Sequence, residues 1–200
     1  MYWYNEEITR LENKAIVKSK LKKVVFYGSS SFTRWNTLET DFKSFQTINL
    51  GFGGSTLAAC AWFYNRIVPR HNPDAIVIYS GDNDLGDGRT PEEVVLFYRQ
   101  LVVDIRKTLG NIPVFFISIK LSPSREHLVG SIEYANNSIK YIVDTEKNNC
   151  HYVDIYHLMF NDLGFLDQAL FENDGLHISP KGYEIWQNAI SIKLQTVLKK

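Results

Sequence analysis

The sequence predicts an α/β protein: a doubly wound, three-layer α/β/α sandwich built on a five-stranded parallel sheet. Three observations carry that prediction. Five short apolar runs, rich in Val, Ile and aromatic residues, stop at turn residues and do not alternate strictly, as expected of strands covered on both faces. Segments with apolar residues at helical spacing lie between them. Strand and helix patterns therefore alternate, the order that builds a parallel sheet through right-handed crossovers.

Taken in order, an amphipathic helix is expected near residues 5–19. The first strand is "KVVFYG" (23–28) and the second "QTINLG" (46–51). Ser55 is expected to cap a helix that turns Leu57, Cys60, Ala61, Tyr64 and Ile67 towards the sheet. The third strand lies in "DAIVIYSG" (74–81). The helix after it carries the strongest signals: Thr90 as N-cap, Pro91 at the first helical position and Glu93 completing a capping box. Val94, Tyr98, Leu101, Ile105 and Leu109 line one face, and Gly110 suits the stop. "IPVFFISIK" (112–120) supplies the fourth strand, and Ile132, Ala135, Ile139 and Ile142 mark the next helix. "HYVDIY" (151–156) is the fifth strand. A last helix is expected from Ser179-Pro180, presenting Tyr183, Trp186, Ile190, Leu194 and Val197. The topology is of flavodoxin-like type. No repeat, low-complexity tract or linker interrupts it, so residues 1–200 are expected to form one domain, with 1–22 as an N-terminal helical extension.

Lys plus Arg and Asp plus Glu number 22 each, and no basic stripe appears, which argues against nucleic acid or an anionic membrane as partner. No run approaches the roughly 20 apolar residues of a membrane span. The opening "MYWYNEEITRLENK" lacks the apolar core of a signal peptide, so the expected compartment is the cytoplasm. Cys60 and Cys150, the only cysteines, make no disulfide framework, and Cys60 in "LAACAWF" reads as a small apolar packing residue.

Ligands of open parallel sheets bind beyond the carboxyl ends of the strands. The sequence there reads "GSSSF", "GFGGST", "GDNDLGDGR" and "LSPSREH" after the first four strands, and "ENDGLHISP" beyond the fifth. Singly, each has a structural explanation in turns and helix caps. Together they supply every role that acyl transfer needs. Ser30, at a strand-to-helix turn, is the candidate nucleophile. His177 is the candidate base, since an unperturbed imidazole titrates at about 6.5. Asp174 lies three residues earlier, close enough for a local turn to hold it against the imidazole. The amides of Ser30 and Gly54 and the side-chain amide of Asn83 are candidate donors to an oxyanion.

"GSSS" (28–31), "NLGFGG" (49–54), "GDND" (81–84) and "DGLH" (174–177) resemble the four signature blocks of the SGNH hydrolases, the GDSL-like esterases and lipases. The resemblance spans residues 23 to about 185. It implies Ser30 as nucleophile, Gly54 and Asn83 as oxyanion donors, and Asp174 with His177 completing a triad. Ser29 stands where the family's first block usually has Asp, which bears on local hydrogen bonding and substrate preference. Asp82 occupies a position the family leaves variable.

The function expected is hydrolysis of a carboxylic ester, a small or sugar-linked acyl group, with no metal or organic cofactor and a small-molecule ester as partner. An acyltransferase would use the same triad. A flavodoxin-like module cradling a phosphate or flavin explains the serines but leaves Asp174 and His177 without a task. A metal site on Asp82, Asp84 and Asp87 lacks a histidine among its members. Ser29, Trp35, Phe52, Asp87, Arg89 and the segment "MFNDLGFLDQALF" (159–171) are expected around the substrate. Arg125 and His127, in the loop after the fourth strand, should border the site. His71 reads as part of a surface turn, and His151 and His157 as flanking the last strand.

Overall fold

The computed structural model describes residues 1–198. Five parallel strands form one sheet: β1 (Lys23–Gly28), β2 (Gln46–Gly51), β3 (Ala75–Tyr79), β4 (Val114–Ile117) and β5 (Cys150–Val153). Their spatial order is β2-β1-β3-β4-β5, with Val24 to Gly28 of β1 in register against Thr47 to Gly51 on one side and Ala75 to Tyr79 on the other. The chain reverses its winding at β1, so the carboxyl ends of β1 and β3 border the crevice where such sheets bind ligands.

Side chains alternate across β1 and feed two cores. Val25 and Tyr27 point into a core shared with α1 (Asn5–Glu12), α4 (Leu57–Ile67), α6 (Pro91–Leu109) and α7 (Val129–Glu146). Val24 and Phe26 point into the other. There they meet Phe32 of α2 (Ser30–Thr33), Leu38 of α3 (Leu38–Asp41), and Trp186, Ile190 and Leu194 of α8 (Pro180–Leu198). Three layers result. A short helix α5 (Asp82–Gly86) follows β3 at the crevice.

The expected capping box on α6 is present, Thr90 and Glu93 each accepting the other's backbone N–H. Elsewhere the elements depart from expectation in several places. The fifth strand covers Cys150–Val153 and not 151–156, because the N–H groups of Ile155 and Tyr156 bond to Ser118 Oγ in place of a neighbouring strand. The amino-terminal helix ends at Glu12 instead of 19, because Ile8 and Leu11 find the core whereas Ile16 and Val17 remain exposed. Thr56, not Ser55, caps α4, its hydroxyl accepting the N–H of Ala59. Ser55 is used one step earlier, through a carbonyl that accepts from Ser80 Oγ and Asn83 Nδ2. His71 lies in a single 3-10 turn (Pro69–His71), but its ring is turned inwards and buried, which corrects the surface reading. Among the described residues, no helix is long and apolar enough to cross a membrane.

Candidate active site

Ser30 is delivered by an abrupt turn at the end of β1. Gly28 has φ +147°, and a Cβ there would lie 1.9 Å from the carbonyl oxygen of Tyr79 on neighbouring β3, so only glycine fits. Ser29 then donates its N–H to that same carbonyl (3.0 Å) in extended conformation, and Ser30 opens α2. As the first residue of a helix, Ser30 has a backbone N–H that the helix itself leaves without a partner.

The partner of Ser30 arrives from 147 residues away. His177 Nε2 lies 3.2 Å from Ser30 Oγ, and His177 Nδ1 lies 2.6 Å from Asp174 Oδ2. The other oxygen of Asp174 accepts the N–H groups of Leu176 and His177, both at 2.9 Å. The His177 N–H, the imidazole and the Leu176 N–H hold the Asp174 carboxyl far below the usual range, so it is a carboxylate at any working pH. An antiparallel bridge between Phe171 and Ile178 and the bond from Ser179 N–H to Leu170 O (2.9 Å) close this loop around Asp174 and His177.

Asn83, on α5, donates from Nδ2 to the Ser55 carbonyl (3.0 Å), while Arg125 Nη2 donates to its Oδ1 (2.9 Å). One of its two Nδ2 hydrogens remains for a ligand. The carbonyl of Gly54 accepts a bond from Tyr4 Oη (2.8 Å), so the amino-terminal turn reaches the loop after β2. Ser30, Gly54, Asn83, Asp174 and His177 thus all stand on segments that meet at the carboxyl edge of the sheet.

The acidic residues of "GDND" are occupied by the protein itself. Buried Asp82 accepts from Lys120 Nζ (3.0 Å) and from its own neighbour's N–H, Asn83, at 3.0 Å. Burial alone would raise its carboxyl, but the charges of Lys120 and Arg125 outweigh that and hold it below the ordinary range. Asp84, also buried, caps α4 by accepting from Leu57 N–H (2.6 Å) and Ala58 N–H (3.3 Å). Burial pushes its carboxyl up to about 6 against those two bonds. Among the described residues, no group of three or more His, Cys, Asp and Glu side chains is arranged to hold a metal ion.

The expected substrate contacts need correction. Ser29, Trp35 and Phe52 are buried. The Trp35 indole donates to Asp41 Oδ2 (2.6 Å) and Phe52 packs edge-on to Tyr4 and Phe63, so their aromatic surface serves the cores. Arg89 is 3.8 Å from Asp84 and lies over the ring of Phe97. Asp87 is exposed at the end of α5. Of the segment 159–171, Met159, Leu170 and Phe171 are buried while Leu163 and Phe165 face solvent.

A cleft of about 910 Å³ on the far side of Asp174 is lined by Thr33, Arg34, Glu172, Asn173 and Tyr183, and Ser30, Gly54, Asn83 and His177 are not among its lining residues. For Tyr4 and Lys120 the sequence offered no signal: Tyr4 lies 50 residues from Gly54, and Lys120 lies 38 residues from Asp82.

Comparison with known proteins bears on the family and the fold. Residues 24–185 match the model of the GDSL-like Lipase/Acylhydrolase family. No curated protein matches the chain. Among solved structures, a Bacteroides fragilis protein assigned as an acylhydrolase is similar at 24% identity and TM-score 0.80, covering 99% of this chain and 97% of its own. A GDSL-like lipase of Bacteroides thetaiotaomicron is similar at 22% identity and TM-score 0.79, over 96% and 97% of the two chains. An acetyl xylan esterase shares the fold at 21% identity and TM-score 0.72, over 86% and 99%. With four blocks in order and a match that runs from β1 into α8, the chain belongs to the GDSL-like lipase and acylhydrolase family, the SGNH hydrolases.

Proposed function

We propose that the protein is a serine esterase acting through an acyl-enzyme. The observation that carries the reading is the continuous chain from Ser30 Oγ through His177 to Asp174, at 3.2 and 2.6 Å. His177 Nε2 takes the Ser30 proton as Oγ bonds to the ester carbonyl carbon, and Asp174 stabilises the imidazolium through Nδ1–H. The carbonyl oxygen gains negative charge and is held by the N–H groups of Ser30 and Gly54 and by Asn83 Nδ2. His177 then gives its proton to the departing alcohol. Water repeats the sequence on the acyl-enzyme, releasing the acid and restoring Ser30.

The substrate class favoured is a small acyl group on a polar alcohol such as a sugar. The fold shared with an acetyl xylan esterase supports this reading. Ser30→Ala and His177→Ala should abolish hydrolysis of p-nitrophenyl acetate and stoichiometric labelling by a fluorophosphonate, with unfolding midpoints near wild type. Full turnover in either folded variant would overturn the assignment.

A further inference from the structure

Behind Asn83 lies a charged cluster that the steps above do not use. Lys120 Nζ donates to Asp82 Oδ2 (3.0 Å), Arg125 Nη1 lies 3.2 Å from the same oxygen, and Arg125 Nη2 donates to Asn83 Oδ1 (2.9 Å). Asp82 Oδ1 accepts the backbone N–H of Asn83 at 3.0 Å, so Asp82, Arg125 and Asn83 close a ring to which Lys120 is joined through Asp82. The side chains of Lys120 and Asp82 are only 2% and 6% exposed. A buried ion cluster of this kind stabilises little against an apolar replacement, which directs attention to what it holds in place.

We propose that Arg125 is a positioning residue for the oxyanion donor Asn83, its guanidinium paired with Asp82, which Lys120 holds in turn. The proposal rests on the esterase reading above. A side-chain amide has two orientations related by a half-turn, and its partners select one. Here the guanidinium requires the oxygen on its side and the Ser55 carbonyl requires the nitrogen on the other. The reversed amide would set NH₂ against guanidinium and oxygen against carbonyl, so both neighbours exclude it. Without Arg125, only the Ser55 bond constrains the amide.

Two further features fit this role. A Cβ on Gly86 would fall 2.9 Å from both Cζ and Nη2 of Arg125, so the bare glycine is the floor on which the guanidinium lies. Ser124, its chain neighbour, donates its N–H to the carbonyl of Gly175 (3.0 Å), between Asp174 and His177. One turn thus ties the oxyanion donor to the acid–base loop. The cluster also sets two cations against one carboxylate, and the surplus positive charge strengthens Asn83 as a donor by polarising its amide.

The test is a double-mutant cycle on p-nitrophenyl acetate. Arg125→Met should lower kcat by about 10- to 100-fold with KM little changed, as expected when a bond made in the transition state is misaligned. Gly86→Ala, which displaces the guanidinium without removing it, should give a smaller loss of the same kind. In an Asn83→Ala background, Arg125→Met should cost little more, because the residue it positions is gone. The side-chain NH₂ resonances of Asn83, assigned by their absence in Asn83→Ala, should move in Arg125→Met whether or not substrate is present. Equal losses in both backgrounds, or a rise in KM alone, would overturn the proposal in favour of a structural or substrate-contacting arginine. Full activity in Arg125→Met beside a crippled Asn83→Ala would overturn it alone; full activity in Asn83→Ala would overturn the oxyanion assignment with it.

Discussion

His157 and His177 sit in the same local geometry. Each Nδ1 lies against the carboxylate three residues earlier, Asp154 at 2.7 Å and Asp174 at 2.6 Å, and each Asp also accepts its histidine's backbone N–H. Their far sides differ: Nε2 of His177 faces Ser30, whereas the side chain of His157 is 77% exposed. A third histidine carries a prediction about acid stability. His71 is 1% exposed with neither ring nitrogen hydrogen-bonded, and burial, with the nearby charges of Arg70, Lys14 and Lys23, lowers its pKa to about 4. The unfolded chain takes up a proton at this residue near pH 6.5, and the folded chain only near 4. Its contribution is therefore intact above about 6.5 and declines as pH falls towards 4, by at most about 3 kcal/mol. Denaturant unfolding at pH 7 and pH 4.5 should show wild type losing stability relative to His71→Leu. Parallel pH profiles for the two proteins would refute the role given to this ring. The Asp-x-x-His spacing occurs at 154–157 and at 174–177, so spacing alone did not single out the second; the block "DGLH" did.

At the scale of elements, the amino-terminal segment acts on the crevice from outside the signature blocks. Tyr4 packs edge-on to Phe52 and Phe63 and donates to Gly54 O, and Arg10 Nη2 reaches Gly51 O at 3.3 Å. Tyr4→Phe removes the hydroxyl and keeps the packing. It should cost about 1 kcal/mol in unfolding free energy and lower kcat by up to about tenfold through a looser Gly54. Unchanged kcat in this variant would show that the loop holds itself. This dependence was not legible beforehand, because a tyrosine hydroxyl 50 residues from its acceptor leaves no periodic trace. The helices with strong local signals were legible: α6 starts at Pro91 and stops before Gly110, where cap, proline and glycine place its ends. Trp35 and Phe52 misled for the opposite reason. An aromatic residue next to a motif reads alike whether it faces ligand or core, and only the two cores decide.

For the molecule as a whole, the alternation of strands and helices specified the parallel sheet, while its spatial order came from long-range pairing that no local pattern encodes. That order sets β1 beside β3, which brings the Ser30 and Asn83 segments together, and leaves β4 to deliver the Arg125 turn next to them. Packing on both faces makes the arrangement stiff; Trp186, fully buried, meets the ring of Tyr79 at 4.6 Å directly beneath the turn that carries Ser30. The Lys120–Asp82 pair is part of this interior, and the Arg125 side chain beside it is only 16% exposed, so mobile ions screen the cluster little. Turnover should accordingly vary by less than about twofold between dilute buffer and molar sodium chloride, where screening contracts to about 3 Å. A steep decline with added electrolyte would mean that the relevant charges stand at the mouth. A catalyst whose counterions are built into its floor has no need to borrow any from its surroundings, and fresh water and brine should suit it equally.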